Sequence, residues 1–190
     1  MQFRDLKAQY HKLKPQIDQA VTEVMANANF ISGSQVKELE QELAEYVEVK
    51  HCITCGSGTD ALTLALKALN IGSGDAVFVP DFTFFASGET PALEGATPIF
   101  VDVESDTFNI SPESLQQTIE KVMEDGKLTP KAVISVDLFG LPADYPKIRE
   151  ITDKYGLYVI EDAAQGLSLI HICKKLSEIC RNVRYCSRSK

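Results

Sequence analysis

Apolar residues follow two alternating patterns along the chain, one with helical spacing and one of short continuous runs. Helical spacing predicts an amphipathic helix over residues 12–29, with Pro15 in its first turn. A second amphipathic helix is predicted after Ser34, which can cap it, with an apolar stripe that runs from Val36 to Val47. Both helices precede the first predicted strand.

From residue 51 onward, short apolar runs alternate with segments of helical spacing. The runs predict strands at 51–55, 76–80, 98–103, 132–138 and 157–161, and the segments between them predict helices at 59–69, 84–95, 111–123 and 142–155. Such alternation is typical of right-handed crossovers and a parallel sheet. The sequence therefore predicts an α/β fold, with N-terminal helices followed by a mostly parallel sheet that helices cover on both faces.

Composition and charge narrow the class of ligand. The 190 residues include 44% hydrophobic residues, enough for a core, and the formal net charge of -8 argues against nucleic acid or an anionic membrane as partner. The first residues carry charges where a signal peptide needs an apolar core, and no apolar run reaches membrane-spanning length. We expect a cytoplasmic protein with a small-molecule ligand.

The charge changes sign near residue 167. Residues 1–166 hold 13 basic and 26 acidic side chains, whereas residues 167–190 hold 6 basic and 1 acidic. Three of the five cysteines also lie in this last segment. We therefore predict one partial domain over residues 1–166 and a separate tail over residues 167–190.

Two candidate ligand sites fall where predicted strands end. In parallel α/β sheets, ligands gather at the carboxyl ends of the strands. The turn G-S-G-T begins at Gly56, and its amides and the Thr59 hydroxyl are suited to a phosphate, although two glycines also suit an ordinary tight turn. Glu161 and Asp162 directly follow the last buried run. A carboxylate at the end of a buried strand stays ionised only when a positive or hydrogen-bonding group faces it.

The same glycine turn supports an alternative function. Gly56, Gly58 and Ala61 satisfy the dinucleotide pattern G-x-G-x-x-G/A, and Asp81 follows the next strand, where a ribose-binding acid is expected. The alternative is therefore an NAD-type dinucleotide-binding oxidoreductase.

Aromatic side chains and Asp162 favour a different cofactor. Phe82, Phe84 and Phe85 follow the predicted strand 76–80, where a ring can stack on a flat cofactor or simply join the core. A carboxylate such as Asp162 keeps the ring nitrogen of pyridoxal phosphate protonated. A phosphate turn, a stacking ring and an acid together indicate pyridoxal phosphate.

Many spaced blocks carry a resemblance to a known family. The blocks are F-R-D-L-K, F-I-S-G-S-Q-V-K-E-L-E, G-S-G-T-D-A-L, G-D-A-V-F-V-P-D-F-T-F-F-A-S, A-T-P-I-F-V-D-V, D-L-F-G-L-P-A-D and V-I-E-D-A-A-Q-G. In this order they resemble the DegT/DnrJ/EryC1/StrS sugar aminotransferases, from about Phe3 to Gly166. The resemblance implies part of the large domain of the fold type I, pyridoxal-phosphate-dependent transferases.

The resemblance also implies an activity and partners. Members of the family transfer an amino group, usually from glutamate or glutamine, to a nucleotide-linked keto sugar in polysaccharide or antibiotic sugar biosynthesis. The likeness is greatest to enzymes that aminate a 3-keto uronic acid derivative of UDP-N-acetylglucosamine. The family forms homodimers with sites at the subunit interface, which would account for the two helices before the first strand.

Five residues match the positions at which the family holds the cofactor. Gly58 and Thr59 match the residues at the phosphate, and Phe84 matches the ring that stacks on the pyridine. Asp162 matches the acid at the pyridine nitrogen. Gln165 matches the residue that approaches the ring hydroxyl, although a polar residue there also suits a loop.

The likeness ends where the family places its catalytic lysine. The family block Ser-Phe-x-x-x-Lys, whose lysine forms the Schiff base, is absent after Gly166, so we assign no catalytic residue. Lys174 and Lys175 come too early, and Lys190 lacks the preceding phenylalanine. We expect the chain as given to be inactive, with a frameshift or chimeric junction near residue 167.

One further alternative and one weak motif remain. A non-catalytic relative would bind the cofactor without turnover, and His171 comes too early to replace the lysine as it does in dehydrating relatives. Cys52 and Cys55 form C-x-x-C, but such residues on a strand point to opposite faces, so we expect two buried strand residues and no metal site.

Overall fold

The computed structural model describes residues 5–166. The chain divides into two compact units, Met1–Thr54 and Cys55–Lys190. The first unit contains helix α1, Leu6–Asn27, and helix α2, Ser34–Tyr46. In the described range no helix is both long enough and apolar enough to cross a membrane.

Helix α1 begins earlier than predicted. The Asp5 side chain caps it by accepting a hydrogen bond from the Ala8 amide at 2.9 Å, and Pro15 lies inside the helix instead of in its first turn. Its predicted apolar stripe is present but covers no core, because no residue of α1 is buried. The exposed apolar side chains are Leu6, Tyr10, Leu13, Ile17, Val21 and Met25.

The predicted strand 51–55 is wrong. The Thr54 amide and hydroxyl both donate to Glu40 Oε1, each at 2.8 Å, so this backbone amide is bonded to a side chain and not to a neighbouring strand. A strand exists only where a second strand accepts its amides. The expectation of two buried strand cysteines is also wrong, since Cys55 is exposed and Cys52 is half-buried.

The second unit alternates helices and strands as predicted. Its elements are α3, Gly58–Ala68; β1, Asp75–Pro80; α4, Phe85–Leu93; β2, Thr97–Val101; α5, Pro112–Asp125; β3, Thr129–Val136; α6, Tyr145–Tyr155; and β4, Tyr158–Asp162. The strands form one sheet in the order β2-β1-β3-β4, with every pair parallel. The predicted α/β class, with a parallel sheet covered by helices, is therefore confirmed.

Two hydrophobic clusters cover the two faces of this sheet. Val77 and Val79 of β1 pack on one side with Leu62 and Leu66 of α3. Alternate residues of the same strand pack on the other side, against α5 and α6: Ala76 and Phe78 lie with Leu115, Ile119 and Ile148. Burial of both faces explains why the strands are continuous apolar runs in the sequence.

Helix α6 begins three residues later than the predicted Pro142. The Asp144 side chain caps it by accepting a hydrogen bond from the Lys147 amide at 3.3 Å. The preceding Leu138–Gly140 forms a 3₁₀ turn, which continues from the end of β3. This turn lies beside the end of β4 and so belongs to the candidate site.

Candidate cofactor-binding site

Parallel strands bring the predicted site residues to one edge of the sheet. Helix α4 connects β1 to its parallel neighbour β2, so its N-terminus lies at the carboxyl end of β1. Helix α3 packs on the same face and ends shortly before β1 begins, which places its N-terminus at that edge too. Gly58, Phe84 and Asp162 all lie where these elements begin or end.

The Asp162 side chain is held at both oxygens. Its Oδ2 accepts a hydrogen bond from Ser87 Oγ at 3.2 Å, and its Oδ1 accepts one from the Ala164 amide at 3.3 Å. Ser87 is fully buried, and its oxygen lies 3.1 Å from the Thr83 hydroxyl. Because the single Ser87 proton goes to Asp162, Thr83 is the donor to Ser87. The carboxylate is thus fixed in orientation and keeps lone pairs for a ligand.

Phe84 lies one helical turn before Ser87, whose hydroxyl donates to this acid. It is the N-cap of α4, and its carbonyl accepts a hydrogen bond from the Ser87 amide at 3.1 Å. Its side chain is 72% exposed, and the side chains of Phe82 and Phe85 are exposed as well. The core alternative for these three rings is therefore wrong, and the Phe84 ring is accessible to a flat ligand.

Gln165 is oriented by a neighbouring loop. Its Oε1 accepts a hydrogen bond from the Phe139 amide at 2.6 Å. Because a backbone N–H can bond only to the oxygen of the Gln165 carboxamide, this bond turns the oxygen toward Phe139 and the Nε2 group away from it. The Nε2 group has no acceptor among residues 5–166 and remains a donor at the same edge as Asp162.

The turn before α3 has amides that face outward. The Ser57 side chain accepts from the Asp60 amide at 3.1 Å, and the Ser57 carbonyl accepts from the Ala61 amide at 3.0 Å. The amides of Gly58 and Thr59 have no acceptor within the described part of the chain. A Cβ at Gly58 would meet nothing within 4 Å, so space for an anion lies beside this helix terminus.

These groups fit the polar groups of pyridoxal phosphate. The α3 amides and the Thr59 hydroxyl suit the phosphate, Asp162 suits the pyridine nitrogen, and the Gln165 Nε2 suits the ring hydroxyl. Asp60 adds a negative charge to the first turn of α3, so phosphate binding there would depend on the amides and the helix dipole. Among the described residues, no group of three metal-ligating side chains occurs.

A buried acidic network on the opposite face of the strand ends was missed by the sequence reasoning. Asp137 follows β3 and is 2% exposed; its Oδ1 accepts from the Tyr145 hydroxyl at 2.7 Å and from the Ala143 amide at 3.2 Å. In the parallel register of β3 and β4, Glu161 pairs with Ser135, two residues before Asp137. An acid after the buried run V-I-S-V is the same signal that singled out Asp162, so the sequence did contain it.

Burial controls the ionisation of this network. Burial first, and then the charge and hydrogen bond of Asp137, raise the pKa of Glu161 to about 7, against a lowering by the Arg149 charge. Burial also raises the pKa of Asp137, although bonds from Tyr145, Ala143 and Glu161 oppose this. Burial and the two nearby acids raise the pKa of Tyr145, which stays a neutral donor.

Comparisons with known proteins now identify the class. The profile of the DegT/DnrJ/EryC1/StrS aminotransferase family matches residues 11–180, and the chain belongs to this family. UDP-2-acetamido-2-deoxy-3-oxo-D-glucuronate aminotransferase of Pseudomonas aeruginosa is 44% identical over 168 residues, which cover 87% of this chain and 44% of that protein.

Solved structures agree with the family assignment. A DegT/DnrJ/EryC1/StrS aminotransferase from Brucella abortus superposes with a TM-score of 0.86 at 47% identity, covering 88% of this chain and 45% of that one. NtdA of Bacillus subtilis, solved with bound cofactor PMP, gives a TM-score of 0.73 at 33% identity, covering 82% of this chain and 34% of that one. The chain thus spans less than half the length of each relative.

The comparisons bear on the remaining sequence predictions. The dinucleotide alternative gains no support from them, and the strand that its pattern requires before Gly56 is absent from the described structure. The family match continues beyond Gly166, where we expected the likeness to end. His171, Lys174, Lys175 and Lys190 lie outside the described residues, as does the whole predicted tail.

Proposed function

We propose that the second unit binds pyridoxal phosphate through Gly58, Thr59, Phe84, Asp162 and Gln165. The bound cofactor supplies an electron sink for the carbon that gains or loses an amino group. Asp162 holds a proton at the pyridine nitrogen, and Gln165 Nε2 donates to the ring hydroxyl. The amides of α3 and the Thr59 hydroxyl hold the phosphate, while Phe84 covers one face of the ring.

The observation that carries this proposal is the fixed carboxylate of Asp162. An acid that only ended a strand would turn toward water, but Ser87 and the Ala164 amide hold both oxygens of Asp162 in one orientation. An acid held in one orientation at the ligand edge of a parallel sheet is suited to bind the nitrogen of a pyridine ring.

We propose further that the whole protein is an aminotransferase. Its substrates would be a nucleotide-linked keto sugar and an amino donor, glutamate or glutamine, as the name of the Pseudomonas relative suggests for the sugar. The protein would act in the cytoplasm as a homodimer. The exposed apolar face of α1 supports the dimer, because such a face is stabilised when a second apolar surface covers it.

Residues 5–166 contribute only the cofactor-binding part of the proposed reaction. Residues 5–166 hold and polarise the cofactor, and none of them is assigned the nucleophilic amine that an aminotransferase needs. The predicted boundary at Gly166 and the predicted lack of the Schiff-base lysine remain proposals, because they concern residues that the structure does not describe.

Titration of the chain with pyridoxal phosphate tests the cofactor proposal. We expect binding that D162N weakens at least about tenfold, because the substitution removes the charge opposite the pyridinium. D81N is the matched control, since Asp81 is an exposed acid that follows β1 at the same edge. Unchanged affinity in D162N would contradict the proposal, and binding of NAD that D81N weakens would establish the oxidoreductase alternative.

A further inference from the structure

Asn109 connects two loops at the edge of the sheet that carries the candidate site. It lies between β2 and α5, and it is 5% exposed. Its Nδ2 group donates one hydrogen bond to the Leu141 carbonyl at 3.0 Å and another to the Pro142 carbonyl at 3.1 Å. Because carbonyl oxygens only accept, these two bonds use both Nδ2 hydrogens and fix the direction of the Asn109 carboxamide.

The backbone of Asn109 belongs to a short hairpin, residues 103–110. Val103 and Ile110 form an antiparallel bridge, and the Glu104 amide donates to the Asn109 carbonyl at 2.8 Å. Ile110 is 1% exposed and lies in the core cluster between the sheet and helices α5 and α6. The Asn109 side chain therefore extends from a backbone that the hairpin and the core hold in place.

The segment that accepts these two bonds contains a strained residue. Phe139 has φ of 54°, in the left-handed region that bulky residues avoid. Its side chain is 64% exposed, so core packing does little to hold it. The Leu141 amide donates to the Leu138 carbonyl at 3.2 Å, which closes the 3₁₀ turn around Phe139. The bonds from Asn109 therefore hold the end of the turn that contains Phe139.

A ring contact joins the same hairpin to the same turn. The rings of Phe108 and Phe139 meet edge to face, with their centroids 6.3 Å apart, and Phe108 also lies 5.3 Å from the ring of Phe82. Such aromatic pairs are favourable beyond the area that they bury. The hairpin thus contacts Phe139 itself as well as the carbonyls that follow it.

The Phe139 amide in turn orients Gln165. It donates to Gln165 Oε1 at 2.6 Å, and Gln165 is exposed. A carboxamide has an acceptor at one end and a donor at the other. If the Phe139 amide moved away, the Gln165 side chain could turn over and present its oxygen where the proposed cofactor site needs a donor.

We propose that Asn109 is a positioning residue for Gln165. By holding the carbonyls of Leu141 and Pro142, it keeps the Phe139 amide directed at Gln165 Oε1. Gln165 Nε2 is thereby directed toward the ring hydroxyl of pyridoxal phosphate. The series of bonds from Asn109 to Gln165 needs no ligand, whereas its effect on the ring hydroxyl rests on the proposed function.

Amide hydrogen exchange measured by NMR on the purified chain tests the first step without cofactor. After correction for intrinsic exchange, the Phe139 amide should lose roughly tenfold of its protection in N109L, because leucine has the branched shape of asparagine but donates no hydrogen bond. N109A removes the same bonds without adding bulk and should show the same loss.

S114A is the matched control for both Asn109 variants. The Ser114 hydroxyl accepts a hydrogen bond from the Asp102 amide, so this variant removes a bond from the same β2–α5 connection. It should keep wild-type protection at Phe139. Unchanged protection of Phe139 in N109L and N109A would overturn the inference. So would an equal loss at Phe139 and at the amides of β3, because Asn109 would then stabilise only the fold as a whole.

The second step is tested by comparing pyridoxal phosphate with 3-deoxypyridoxal phosphate, which lacks the ring hydroxyl. The wild-type chain should bind pyridoxal phosphate about fivefold more tightly, as one hydrogen bond allows. N109L and N109A should abolish this preference and leave the affinity for the deoxy compound unchanged, whereas S114A should keep the preference. Equal weakening of both ligands by the Asn109 variants would contradict an action through Gln165.

The two measurements separate this inference from the proposed function. If the wild-type chain does not bind pyridoxal phosphate, the proposed function fails, and the exchange measurement alone decides whether Asn109 positions Gln165. If the wild-type chain prefers pyridoxal phosphate and the Asn109 variants keep that preference, the inference fails and the proposed function stands.

Discussion

Ser87 and Asp162 are joined by a hydrogen bond of 3.2 Å although 75 residues separate them in the sequence. The bond connects the first turn of α4 to the end of β4, and Ser87 is completely buried. A buried hydroxyl held by Thr83 has no freedom to turn away, so it fixes one carboxylate oxygen of Asp162. The orientation of this acid is therefore built into the scaffold before any ligand binds.

Removing this hydroxyl should weaken cofactor binding without unfolding the chain. We expect S87A to raise the Kd for pyridoxal phosphate about fivefold, which corresponds to about 1 kcal/mol for one hydrogen bond. T90V is the matched control, because Thr90 is also buried on α4 but, within residues 5–166, its hydroxyl bonds only to the Ala86 carbonyl of the same helix. Equal losses of affinity in both variants would show that Ser87 acts only through packing.

Buried runs made most of the sheet predictable. The segments at β1, β3 and β4 each contain a short apolar run, and sequence alone located them to within three residues at each end. The strand predicted at 51–55 is wrong although its residues have the pattern of a strand. A strand also needs a neighbouring strand to pair with, and the sequence does not show whether one is present. In the structure, Glu40 takes the Thr54 amide instead.

The first residues of the helices were harder to predict than the strands, because several nearby residues could each cap the same helix. Pro15 suggested a first turn, but Asp5 provides the cap of α1 and the proline lies inside the helix. Pro142 suggested the start of α6, but Asp144 provides that cap. A proline permits a helix start, whereas a side-chain acceptor with the right geometry determines it.

The positions of the acids in the site could be predicted from the sequence, but their hydrogen-bond partners could not. Asp162 stood out because it follows a buried run, and Asp137 carries the same signal after its own strand. Their roles differ only because the pleat points Asp162 toward Ser87 and places Asp137 beside Tyr145. Which face each acid takes depends on register between strands, and the sequence states that only indirectly.

The contribution of the phosphate group to binding can be measured by comparing pyridoxal phosphate with pyridoxal in the wild-type chain and in a variant. T59V should weaken binding of pyridoxal phosphate by about three- to tenfold and leave binding of pyridoxal, which lacks the phosphate, unchanged. T63V serves as the control, because Thr63 lies one turn further along α3, away from the helix terminus. If T59V weakens both ligands equally, Thr59 does not contact the phosphate.

The apolar face of α1 gives a prediction about assembly. Ile17 is 39% exposed, and it lies between the exposed side chains of Leu13 and Val21 on the same face. We expect I17E to shift the chain from dimer to monomer in analytical ultracentrifugation, because a buried charge at an interface is costly. Q16E adds the same charge to an adjacent exposed position and should leave the dimer intact.

A monomeric wild-type chain at high concentration would contradict the dimer proposal. So would equal dissociation in I17E and Q16E, since that result would reflect net charge and not the apolar face.

The raised pKa of Glu161 predicts how stability depends on pH. In the unfolded chain Glu161 titrates near its ordinary pKa of about 4.3, whereas burial and Asp137 raise its pKa in the folded protein to about 7. Between these values the folded state binds more protons than the unfolded state, so the free energy of unfolding falls as pH rises. The stabilisation is complete below the lower pKa and is lost as pH passes the higher one.

We expect E161Q to remove this dependence. We would measure the free energy of unfolding by urea titration at pH 5 and at pH 8. Between these two pH values it should fall by roughly 1–3 kcal/mol more in the wild-type chain than in E161Q. The Asp137 pKa is also raised, which changes stability in the same direction, so D137N should likewise flatten the profile. E150Q should keep the wild-type slope, because exposed Glu150 lies outside the network. A wild-type chain that gains stability between pH 5 and pH 8 relative to E161Q would show that Glu161 is ionised in the folded state.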